Sequence, residues 1–154
     1  MPVTLPNTYN NLPQRTADVT QSMTDLYNVV QQLNGASGTG IGYVTGQGVG
    51  GAVSQLTDRT TAVTLNKLTG QITGQATSLA ASTSVSFTVN NTNVAATDTI
   101  LLSVASGPTA NTSIFTIAAV ANNSFVIKAS NLNTVTADTG APIINFTVIK
   151  GSAN

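Results

Sequence analysis

Histidine, cysteine, tryptophan and glutamate are all missing from this 154-residue chain. Each absence excludes something. Without histidine there is no side chain whose ordinary titration falls near neutral pH to serve as a general base. Without cysteine there is no thiolate nucleophile, no soft metal ligand and no disulfide to staple a small fold. Without tryptophan the best aromatic platform for a sugar ring is gone. Charge is scarce as well. Only 6% of the residues carry one, five basic and five acidic, and the formal net charge is zero. Such a chain has no basic field to steer nucleic acid or an anionic membrane. It also does little to hold copies of itself apart, which suits a protein that assembles. No apolar run approaches the ~20 residues a membrane helix needs. The opening Met1-Pro2-Val3-Thr4-Leu5-Pro6 has no basic region leading into an apolar one, so no secretion signal is visible.

What fills the chain is Thr, Asn, Ser, Gly, Ala and Val. Hydrophobic residues make up 41% and aromatics 5%, so any core is built mainly from aliphatic side chains. Three regimes follow one another. Residues 1–34 form an N-terminal arm and helix. The arm holds Pro2, Pro6 and Pro13 among Asn and Thr. Beyond it, Val19, Met23, Leu26, Val30 and Leu33 recur at spacings of four and three, the seam of a heptad. Thr16 stands where an N-cap belongs, Asp18 in the first turn and Asn34-Gly35 at the stop, so a helix is expected from Thr16 to Leu33. Its filler (Thr20, Ser22, Thr24, Asn28) is poor in helix formers, and a helix of this length is marginal alone in water. The seam needs a partner, either the rest of the chain or the same helix of another copy.

Residues 35–82 are a Gly/Thr-rich linking segment, expected to be extended. Gly46-Gln47-Gly48-Val49-Gly50-Gly51 matches G-x-G-x-x-G, but a dinucleotide site needs a long helix after it and an acidic residue about 20 positions on. The Thr-rich stretch that follows offers neither, so nucleotide binding is not expected. Residues 83–154 alternate as strands do. Val85, Phe87 and Val89 interleave with Ser84, Ser86 and Thr88. Thr99–Val104 is an apolar run, and Ile114–Ile117 and Phe125–Lys128 flank the turn Ala121-Asn122-Asn123-Ser124. Pro142–Lys150 forms a last strand. The expected fold is mainly β: an antiparallel β-sandwich or small barrel at the C-terminus, preceded by arm, helix and glycine-rich segment. A β-domain of that size buries only about 60% of its unfolded surface and gains from neighbours.

The charged residues form no evident catalytic set. The acids are Asp18, Asp25, Asp58, Asp98 and Asp138, and the bases Arg15, Arg59, Lys67, Lys128 and Lys150. No two carboxylates are placed as an acid/base dyad, and none follows a calcium-loop spacing. Asp58 and Arg59 are adjacent and suited to polar contacts, including contacts across a subunit boundary. No catalytic residue, metal ligand or cofactor is expected, and neither is a small-molecule substrate.

From Gly48 through Val53-Ser54-Gln55-Leu56-Thr57-Asp58-Arg59-Thr60-Thr61-Ala62-Val63-Thr64-Leu65-Asn66 to Gly70-Gln71-Ile72-Thr73, the chain resembles a module of small structural proteins in tailed-bacteriophage virions. Ser86–Asn91, Val94–Asp98 and Asn145–Lys150 are similar to the same group. The resemblance spans roughly residues 48–150 and leaves the arm and helix outside. It implies a virion component on the capsid exterior, a cement, decoration or head-fibre protein, as a homotrimer contacting major capsid protein subunits. The alternative within the same class is a tail or baseplate fibre segment with a receptor- or glycan-binding β-domain. The residues expected to pack between subunits are Val19, Met23, Leu26, Val30 and Leu33, with Asp58 and Arg59 as polar contacts.

Overall fold

In the computed structural model the chain divides after Val44 into two units. The structure describes residues 19–28, 43, 48–109 and 112–152. In the first unit, helix α1 covers residues 19–28, inside the span the heptad spacing predicts. The remainder of that expected helix, with Val30 and Leu33, and the whole proline-bearing arm lie outside the described residues.

Among its described residues the second unit has eight strands: β1 (Ala52–Ser54), β2 (Val63–Thr64), β3 (Thr69–Thr73), β4 (Ser84–Asn90), β5 (Thr99–Ser106), β6 (Ser113–Ala121), β7 (Ser124–Asn131) and β8 (Ile143–Ile149). They form two four-stranded sheets, ordered β1-β3-β8-β5 and β2-β4-β7-β6, with no closure into a barrel. The mainly-β fold expected from the alternation is present. It is mixed rather than purely antiparallel, because β1 pairs with β3, and β2 with β4, in parallel. Parallel partners require a crossover between them. Here the chain supplies it by stepping from one sheet to the other at each of its first four strands.

Those first three strands lie in the segment expected to be a link. Residues 52–73 of it are woven into both sheets, and the compact unit that includes 83–154 begins at Thr45. Strands of two to five residues carry too little apolar alternation to stand out from a linker. The described end of the glycine run has Gly48, Gly50 and Gly51 at φ 70, 71 and 133° and leads straight into β1. A strand after these glycines leaves no helix N-terminus at which a pyrophosphate could sit.

Side-chain alternation explains how the sheets stack. Phe87 and Val89 of β4, Phe125 and Ile127 of β7, and Ile144, Phe146 and Val148 of β8 all point inward and are buried. Ile72 and Ile100 join them from β3 and β5, and Val63 from β2, so one core is shared by both sheets. At its centre Phe125 and Phe146 meet across the sheets, with ring centroids 5.4 Å apart and planes tilted by 57°. This is a two-sheet sandwich. The hairpin between β6 and β7 turns at Asn122-Asn123, with Ala121 opposite Ser124, and Asn123 takes a left-handed φ of 66°, which asparagine tolerates better than most residues.

Candidate functional site

Helix α1 carries the sequence's leading candidate. Val19, Met23 and Leu26 project from it with 58, 67 and 64% of their surface exposed, and with Ser22 they line a shallow apolar recess. Their spacing puts them on one face, since residues three and four apart are neighbours on a helix. The opposite side is polar: the Gln21 amide donates to Asp25 Oδ1 at 2.9 Å, and the Thr24 hydroxyl to the Thr20 carbonyl at 2.9 Å. In heptad terms Asp25 falls away from the seam, and the positions flanking it (Thr20, Ser22, Tyr27) are uncharged. Like helices therefore meet no like charge along this face.

Asp58 and Arg59 have other occupations. Asp58 folds its own loop: its Oδ1 accepts from the Thr60 amide at 2.8 Å and from the Thr60 and Thr61 hydroxyls at 2.7 and 3.1 Å. These hydrogen bonds, led by the Thr60 hydroxyl, hold its pKa below the ordinary carboxylate value. Arg59 is buried, with 5% of its surface exposed. Its Nη1 meets Asp138 Oδ2 at 3.3 Å, its Nη2 donates to the carbonyls of Asp138 and Gly140 at 3.1 and 2.7 Å, and its Nε donates to the Thr77 carbonyl. The guanidinium is thus enclosed by its own chain, and the polar contacts it makes here are internal.

What Arg59 builds instead is a clasp at one end of the sandwich. Asp138, in the β7–β8 loop, has none of its surface exposed. Its Oδ1 accepts the amides of Thr109 and Gly140 at 2.9 and 3.0 Å, and its Oδ2 the Ser113 hydroxyl at 2.6 Å. The β1–β2, β5–β6 and β7–β8 loops are thereby tied to one carboxylate. Burial raises the pKa of Asp138, but the Ser113 hydroxyl, the two amides and the Arg59 charge outweigh it, and the net shift is downward. Gln55 extends the network. Its side-chain amide donates to the carbonyls of Arg59 and Thr61 and accepts from the Gln75 amide.

The opposite end carries a second, looser clasp. Asp98 accepts from the amides of Ala95 and Gly151 at 2.8 and 3.0 Å and pairs with Lys150 Nζ at 2.5 Å. Burial again pushes its pKa up, and the Ala95 amide, Lys150 and the Gly151 amide bring it below the ordinary value. Neither clasp was legible in the sequence, because their partners stand 79 and 52 positions apart. Every buried polar side-chain atom among the described residues has a hydrogen-bond partner. No cluster of three metal-ligating side chains occurs among the described residues.

The arrangement is thus two internal clasps, which fix loops, and an outward apolar stripe, which presents contact area. Comparison with known protein families, curated proteins and solved structures found no match to this chain.

Proposed function

We propose that the protein is a structural component of a tailed-phage virion, binding the outside of the capsid as a homotrimer and cementing or decorating the shell. The observation that carries this reading is the exposed stripe Val19, Met23 and Leu26, a helical face spaced for self-association and free of flanking charge. The resemblance of residues 48–150 to phage structural proteins supports the virion setting. The neutral composition supports assembly at high copy number, where contact area summed over many subunits does the stabilising. In this role the β-sandwich faces major capsid protein subunits, while the helix gathers three copies about one axis.

Solution mass is the first test. Sedimentation should give three times the 15.6 kDa of one chain, or a multiple of three where trimers associate further. A strict monomer at micromolar concentration would overturn the trimer. Cryo-electron microscopy of the particle that carries the chain then tests location, and density on the tail instead of the shell would overturn the capsid reading.

A further inference from the structure

The two flanks of the sandwich differ. One is formed by β1 and β2, of three and two residues, too short to template another strand. The other is formed by β5 and β6, of eight and nine residues, which lie beside each other at the edges of their sheets. Edge strands of that length present a row of unpaired backbone N–H and C=O groups. Proteins usually blunt such edges with lysine, proline or charge. Here no residue between Asp98 and Lys128 is charged, and neither strand contains proline. Each strand has one bulge, after Val104 and after Ile117, which leaves Thr99–Val104 and Ser113–Ile117 in regular register.

The core is also incompletely sealed on this side. Leu102, Phe115, Ile117 and Val120 pack against the central cluster yet remain partly exposed. Outside them, Leu101 is 53% and Ile114 46% exposed. An apolar core edge and an open hydrogen-bonding edge therefore coincide.

We infer that the β5–β6 flank is a self-association surface, and that its occupant is the same flank of a second copy of this chain. Size and charge favour that occupant. Eight or nine residues at about 3.3 Å each make the flank about 28 Å long. Two sheets about 10 Å apart, with side chains adding about 4 Å on each outer face, make it about 18 Å wide, or about 500 Å² per copy. Two copies then bury about 1,000 Å², the lower bound for a specific protein contact. A neutral flank has no complementarity for a charged partner, whereas two neutral, apolar edges meet without repulsion. The inference does not depend on the virion reading, because it concerns contact between copies and needs no capsid.

The test uses the full chain as wild type, as Leu101→Lys with Thr116→Lys, and as Leu26→Asp. Both lysines replace exposed side chains, so the strand signature in circular dichroism should persist. Association of the double variant should weaken about 100-fold, through like charge brought face to face. Hydrogen exchange supplies a second readout that needs no substitution. Amides of β5 and β6 should exchange slowly in the associated wild type and faster on dilution.

Fast exchange there at every concentration would overturn the inference, as would unchanged association of the lysine variant. So would growth into species of unlimited size, the mark of an aggregating edge rather than a closed contact. The helix is judged separately: if Leu26→Asp dissociates the chain while the lysines change neither mass nor exchange, the helix contact stands and the flank falls. If the lysine variant does not fold, the wild-type dilution series decides alone.

Discussion

Asp138 shows how much one side chain does in this chain. It accepts from two backbone amides, a hydroxyl and a guanidinium, and it holds three loops at once. Asp138→Asn keeps the shape but leaves the buried Arg59 charge unpaired, which typically costs about 3–5 kcal/mol. Denaturant unfolding should show that loss as a lower midpoint. The same residue and Asp98 set the acid limit. Both have pKa values below the ordinary carboxylate value, so the folded state binds their protons less readily than the unfolded chain does. The stability they contribute is fully present above about pH 4, the unfolded carboxylate range, and is lost as pH falls through their folded values. Thermal midpoints should be flat from pH 7 to 5 and fall below pH 4, and Asp138→Asn should flatten part of that fall. Neither residue announced this role in sequence. Asp138 sits in a turn-like Thr-Ala-Asp-Thr-Gly stretch, and only folding brings Arg59 to it.

Among the elements, the long C-terminal strands were the legible ones. Alternation in Ser84–Asn90 and Ile143–Ile149 puts every second side chain in the core, and the Asn122-Asn123 turn lies where its residues favour one. The short strands β1 to β3 were not legible, because two to five residues hold no pattern apart from the partners that flank them. The spacing of Val19, Met23 and Leu26 predicted a helix, and there is one. It could not say what covers their face. Leu26→Asp tests that directly: if the face joins copies, light scattering should show the mass falling from the wild-type value to that of the copies the β5–β6 flank still joins. The thermal midpoint of the β-unit should stay within about 2 °C, since Leu26 is outside its core. Close backbone contact adds a constraint on the loops. Gly107 has φ 101°, and a Cβ there would overlap the Ala141 carbonyl, so alanine is not tolerated without separating the β5–β6 and β7–β8 loops.

At the level of the whole molecule, the absences of the sequence acquire a physical counterpart. The sandwich is held by aliphatic packing about two phenylalanines in tilted contact and pinned at each end by one ion pair. With so few aromatics, each carries a large share. Phe146→Ala should cost about 3–5 kcal/mol, a loss that chemical denaturation would register. The β-unit is larger than the 83–154 span in which the alternation is visible, since residues 45–82 belong to the same unit. The polar contacts of Arg59 are internal ones that the sequence could not place, since it shows which residues are charged and not which of them fold inward.

The position of β8 has a consequence for how the protein is made. It lies between β3 and β5, pairing with both, although β3 precedes it by some seventy residues. On the ribosome, therefore, β3 and β5 have no common partner until Ile143–Ile149 has been translated and has cleared the exit tunnel. Until then the apolar faces of both strands stand open in the nascent chain, the circumstance in which holding chaperones are most needed. Closure of the first sheet is the last act of synthesis for this unit, and codon-level delays before Ile143 would lengthen that exposure.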